Sequence, residues 1–352
     1  MNYMARTKSN KIEPAPMTLY SFLPVGPFVE STLDLSQIAS LVNRRFYRQG
    51  LNWAVAGFKI ISDAGAGEVT VSKLPNTWVL SNSWEKSFRV WQRMNREAME
   101  ENESVRPRFL DFKIYADATH HEAGFAGNLL PFSSAGAYEY GEWESSKIFY
   151  PNTATAGAVG NVETEIIGVG QNYPGVSTVT GHNAVSMIEG YAASRSLPQV
   201  TDPNTPSDVD DADGSTPENW MTAIFNDGTN QYAEVLDVLT DENNQSPYPF
   251  ENGIDIRPNL PDGSVNPNFG QPYTDTMYPG GANQGPGLQV HDITNITNTT
   301  VGGVTRLKGG NFPCGLVRFT VTNVAELGSA LLLIDLVPGN HRGYLCEPMT
   351  EM

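Results

Sequence analysis

The chain is 352 residues long, enough for one large β domain with long insertions or for two modest domains. Hydrophobic residues make up 39% and charged residues 17%, against about 45–50% and about 25% in ordinary soluble domains; Gly, Pro, Asn, Ser and Thr fill the difference, which favours a loop-rich all-β scaffold over a helix bundle. With a formal charge of −17 and a sequence pI of about 4.6, the chain as a whole repels nucleic acid, so any such contact requires positive charge gathered in one place.

In chain order, residues 1–17 read as a flexible arm carrying Arg6, Lys8 and Lys11, without the apolar core of a signal peptide. Thr18 to Pro27 suits a first strand. Asp34 to Val42 has helical spacing (Leu35, Ile38, Ala39, Val42) but also fits a strand approach. Phe46 to Ile61 reads as a long strand with Gly50 and Gly57 as bends or bulges, and Glu68 to Val71 alternates like a half-buried strand.

A helix is predicted from Ser83 to Glu101, with Trp84, Phe88, Trp91 and Met94 or Ala98 on one apolar stripe and Asn82 or Ser83 as its cap. Strand alternation returns over Phe109 to Tyr115 and is expected at Tyr138–Glu144, Lys147–Tyr150 and Val162–Val169, followed by a short helix over Ala184–Ser194. Thr201 to Ser215 is rich in Asp and Pro, and helices are predicted at Pro217–Phe225 and Gln231–Leu239. Residues 243–287 are dense in Gly, Pro and Asn, a length without periodicity that usually marks a functional or partner-contacting loop. Two closing strands, Gly315–Thr322 and Ser329–Val337, precede a tail from Gly343 to Met352. Expected organisation is therefore an arm (1–17), a first β part (18–200), an insertion (201–311) and closing strands with the tail (312–352).

Chemistry-bearing groups are sparse. Arg44, Arg45 and Arg48, interleaved with Phe46 and Tyr47, suit phosphate pairing and base stacking, and equally a solvated strand edge or a subunit salt-bridge site. Lys86, Arg89, Arg93 and Arg96 read as a polar helix face partly paired with Glu85, Glu97 and Glu100. Asp208, Asp210, Asp211 and Asp213 precede Gly214, but aligning that glycine to an EF-hand puts Val209 first and Trp220 last, where acids are required. A looser Ca²⁺ site stays as an expectation beside a solvated acidic loop. His120 and His121 lack zinc-hydrolase spacing and read as surface residues; Gly309-Gly310 reads as a turn; Glu139 with Glu142, or Glu163 with Glu165, are the acidic pairs that glycoside hydrolysis would need. Cys314 and Cys346 read as two buried thiols, and no apolar run approaches the ~18 residues of a membrane span.

Two passages, Pro75 to Met94 (PNTWVLSNSWEKSFRVWQRM) and Leu331 to Met352 with its LVPGNHRGYL at Leu336 to Leu345, resemble capsid proteins of small circular single-stranded DNA viruses that encode a rolling-circle initiator, including environmental and marine members. Together they cover about an eighth of the chain. The resemblance implies an all-β single eight-stranded jelly roll with long loops, a homo-oligomeric icosahedral shell, a packaged genome of single-stranded DNA, location in the virion and no catalytic set. Such proteins commonly carry a long Arg/Lys-rich arm, whereas Arg6, Lys8 and Lys11 are the basic residues of this one. A carbohydrate-active or carbohydrate-binding β-sandwich and a phage tail or adhesin module are the competing expectations.

Overall fold

The computed structural model describes residues 15–62, 66–99, 111–152, 160–196, 221, 287–297, 303–325 and 327–352. Its elements run β1 (Thr18–Val25), β2 (Phe28–Asp34), α1 (Leu35–Asn43), β3 (Leu51–Ile61), β4 (Gly67–Lys73), α2 (Trp78–Ala98) and α3 (Ala118–Ala123). There follow β5 (Phe132–Ser133), β6 (Gly136–Ala137), β7 (Lys147–Asn152), β8 (Gly160–Ile167), β9 (Asn183–Ser186) and α4 (Met187–Ser196). The chain closes with β10 (Gln289–Ile296), β11 (Val304–Phe312), β12 (Leu316–Thr322), β13 (Gly328–Leu336), β14 (Pro338–Gly339), β15 (Gly343–Tyr344) and β16 (Cys346–Pro348). The fold is all-β in character, with few helices. The chain divides into two compact units, one of Met1–Lys73, Gly127–Trp143 and Val290–Met352, the other of Leu74–Ala126 and Glu144–Gln289.

The first unit holds two sheets, ordered β1-β13-β3-β11 and β10-β4-β12-β2, with β16 also pairing β3. The pairing is nested: β1 with β13, β2 with β12, β3 with β11 and β4 with β10 are hydrogen-bonded neighbours. In effect the sheet strands form one long hairpin folded over on itself, with residues 74–288 separating β4 from β10 in the sequence. Period-2 alternation decides which side chains turn inward. In β1, Leu19, Leu23 and Val25 are buried while Tyr20 and Phe22 are exposed; in β13, Ala330, Leu332, Ile334 and Leu336 are buried. These join Trp53, Phe58, Val71, Val317, Phe319 and Val321 in one hydrophobic cluster drawn from both sheets.

The inward phase of β3 changes part-way, from Trp53 and Val55 to Phe58 and Ile60. A register shift makes this possible: Asp335 faces Gly57 but Leu336 faces Val55, so one residue of β3 is extra. Gly309, expected in a turn, instead lies inside β11 against this bulge, where an added Cβ would sit 2.2 Å from the Val55 carbonyl oxygen and 2.3 Å from that of Ala56. Only glycine fits so close a backbone approach.

Several other expectations are corrected. The main helix begins at Trp78, five residues before Ser83, because Val79 and Leu80 extend its buried stripe; Thr77 Oγ1 accepts from the Leu80 amide (3.4 Å), and Ser83 lies inside the helix. Trp84, Phe88 and Trp91 do share one face, packed on Phe112. Residues 111–114 and 138–146 form no strand; Tyr115 makes only an isolated bridge to Ile167. The helix expected from Ala184 starts instead at Met187, after β9. β10 and all but the last residue of β11 fall within 201–311, their signal weakened by exposure of β10 and by the glycines of β11. Finally, the expected tail is part of the fold: β16 pairs β3, and Tyr344 and Met349 are fully buried. The helices predicted at 217–225 and 231–239 lie outside the described residues, apart from Met221.

In the second unit, β7-β8-β9 form a small mixed sheet, and α2 packs against α4 and β7. No helix among the described residues is long and apolar enough to cross a membrane.

Candidate nucleic-acid interface

The three arginines after α1 owe their position to a buried carboxylate at the other end of that helix. Asp34, fully buried, caps α1 by accepting from the amides of Ser36 (2.9 Å) and Gln37 (3.2 Å). It also accepts from the Ser36 hydroxyl, Gln49 Nε2 (3.0 Å) and Trp143 Nε1 (3.0 Å). Burial pushes its pKa up, while these donors pull it down. The Gln49 bond ties the start of the helix to the segment that follows it, so residues 44–48 form a closed loop on the first unit.

α1 ends at Arg44, which adopts the left-handed conformation (φ 52°) usually given to glycine at this position. Arg44, Arg45 and Arg48 are exposed, whereas Tyr47 between them is fully buried. Tyr47 therefore cannot stack on a base as its spacing suggested; it packs instead on Trp53 and Tyr344, with ring centroids 5.9 Å and 5.6 Å away. Its hydroxyl donates to the Arg342 carbonyl (3.1 Å).

That contact brings in a group not singled out as basic in the sequence. Arg342 lies in a tight turn, again left-handed (φ 51°), followed by Gly343 at φ 106°. It is exposed, donates to the Phe46 carbonyl and sits 6.0 Å from the Tyr47 ring centroid. The neighbouring His341 ring meets Tyr47 edge-on at 5.9 Å. Burial first, then the charges of Arg342 and Arg48, hold its pKa below the ordinary value. Arg45 likewise acts on the buried Tyr344 hydroxyl, whose pKa burial pushes up to about 12. Arg45, Arg48 and Arg342 thus gather around one aromatic cluster, with Arg44 next in sequence, and among the described residues no carboxylate forms an ion pair with Arg44, Arg48 or Arg342. An L-residue in the left-handed region costs about 1–2 kcal/mol, and both Arg44 and Arg342 bear that cost, a pattern associated with function.

The segment just before β1 meets this patch. The Tyr344 hydroxyl donates to the Pro16 carbonyl (2.9 Å) and accepts from Asn43 Nδ2 (3.0 Å), the residue just before Arg44. The residues leading into β1 are therefore two hydrogen bonds from the arginine loop. Arg6, Lys8 and Lys11, like Asp208, Asp210, Asp211 and Asp213, lie outside the described residues.

The remaining candidates are otherwise engaged. His120 and His121, expected at the surface, sit on α3 at 1% and 2% exposure. His121 Nε2 meets Glu165 (2.8 Å), and Ser145 donates to the other oxygen of that carboxylate. Burial raises the Glu165 pKa, but His121, Ser145 and Thr180 together bring it below its ordinary value. Ser145, Glu165 and His121 form a chain with the carboxylate in the middle, the wrong order for a nucleophile activated by histidine. Glu163 is paired with Lys147 (3.2 Å), and Arg89 with Glu85. Comparison with protein-family models, curated proteins and solved structures finds no match to the chain.

Proposed function

We propose that this chain is a viral capsid subunit that self-assembles into an icosahedral shell around a single-stranded nucleic-acid genome, and that its first unit is a jelly roll. The observation that carries this reading is the nested pairing β1/β13, β2/β12, β3/β11 and β4/β10, with sheet orders β1-β13-β3-β11 and β10-β4-β12-β2. A jelly roll is such a folded hairpin, and it presents broad lateral surfaces suited to symmetric packing. The arginine loop supports the genome contact: in a chain of charge −17 it supplies the local positive field that phosphates require. Its hydrogen-bonded link to Pro16 supports a contribution from the segment before β1, whose sequence carries Arg6, Lys8 and Lys11.

Two measurements test the reading. Light scattering behind size-exclusion chromatography, with negative-stain imaging, should find closed particles; a stable monomer across salt and pH would refute the shell. Replacing Arg44, Arg45 and Arg48 together with Ala should leave particles intact while lowering their nucleic-acid content and flattening the salt dependence of oligonucleotide binding. Normal packaging by that variant would refute the interface.

A further inference from the structure

We infer that His341 makes the arginine patch proton-linked, so that it holds the phosphodiester backbone of single-stranded nucleic acid more tightly as pH falls. This rests on the proposed nucleic-acid interface and adds its regulation.

The geometry comes first. His341 closes the turn that carries Arg342: its amide donates to the Tyr344 carbonyl (2.9 Å) and its own carbonyl accepts from the Tyr344 amide (3.1 Å). The imidazole is thereby held against the edge of the buried Tyr47 ring. Its Nε2 is a buried atom with no hydrogen-bond partner among the described residues. The groups that face it are the Tyr47 ring from the arginine loop, Arg48 on the same loop, and Arg342 on its own turn. No described carboxylate pairs with it. The described residues therefore supply no anion to stabilise an imidazolium, and two guanidinium groups oppose one.

An external anion changes this balance. A phosphate seated between Arg48 and Arg342 cancels the two charges that oppose protonation and adds a negative field beside the ring. The His341 pKa rises on binding, so the bound state holds more proton than the free state. By linkage, affinity increases as pH falls through the histidine range. Each unit by which binding raises the pKa multiplies affinity at acid pH by at most about tenfold. The opposite trend follows on going to neutral pH, where the grip relaxes.

The test uses the full chain and a fluorescein-labelled oligothymidylate, with anisotropy read at constant salt at about pH 7.5 and about pH 5.5. The wild type should bind about 3- to 10-fold more tightly at the acid pH. His341→Gln should keep the neutral affinity and lose most of that gain. Calorimetry in two buffers of different ionisation heat should register proton uptake on binding to the wild type, which serves even if the variant folds poorly. A pH response unchanged in His341→Gln, or binding without proton uptake, overturns the inference while leaving the interface standing. Undiminished binding at both pH values by the variant lacking Arg44, Arg45 and Arg48 instead overturns the interface itself.

Discussion

Replacing Asp34 with Ala should cost the first unit about 3–5 kcal/mol, because one carboxylate there serves two structural purposes. As a helix cap it holds the amides of Ser36 and Gln37 at 2.9 and 3.2 Å, an interaction worth about 1 kcal/mol. As a buried acceptor it holds Gln49 and Trp143, both at 3.0 Å; a buried donor deprived of its partner costs about 1–3 kcal/mol. The release of a buried charge offsets part of this, since desolvation is what raises the Asp34 pKa. Asp34→Asn keeps one acceptor oxygen and should lose about half as much. Against a typical stability of about 5–15 kcal/mol the Ala variant is severely weakened. Urea titration followed by tryptophan fluorescence and circular dichroism measures the loss. The pH dependence supplies a second check. A folded pKa above the ordinary 3.8 means that the folded chain binds the proton more readily, so this contribution to stability is present below that value and fades as pH rises through the folded pKa. The wild-type advantage over Asp34→Asn should therefore shrink on going from acid to neutral pH. An Ala variant within about 1 kcal/mol of wild type would refute the reasoning, since even the cap alone is worth that much.

Trp91→Ala should destabilise the second unit by about 3–5 kcal/mol, since the ring is 6% exposed and packs on Phe112 at 5.5 Å; a negligible shift in the denaturation midpoint would mean that the ring supports no core. Tyr344→Phe deletes the hydroxyl that joins Pro16 to Asn43. It should cost about 1–3 kcal/mol and speed protease cleavage ahead of β1, whereas unchanged stability and cleavage would detach Pro16 from the arginine loop.

Much of the β framework was legible because alternation is a local property. Glu68–Val71 declares itself by alternation and Ala330–Ile334 by a short apolar run, and these, like Thr18–Pro27 and Gly315–Thr322, each correspond to a strand. The composition also determined that nucleic acid could be met only at a concentrated positive patch, and Arg44, Arg45 and Arg48 were visible as such in the sequence.

Which strand pairs with which was not legible, because sheet hydrogen bonds join residues whose separation the period cannot encode. Thr18 faces Asp335, and its hydroxyl bonds that carboxylate at 2.7 Å across 317 positions. The same non-locality hid Gly309 in its bulge, made a buried cluster of His121 and Glu165, and turned the apparent tail into a strand on β3. It also decided the composition of the basic patch. Arg342 lies about three hundred positions from Tyr47, with the Tyr47 hydroxyl bond spanning 295, so local spacing could not associate them. By itself the sequence determined several of the strands and the need for gathered positive charge; only tertiary packing around Tyr47, Trp53 and Tyr344 brought Arg342 and His341 to the arginine loop, because buried aromatic contacts are chosen by shape in three dimensions rather than by distance along the chain.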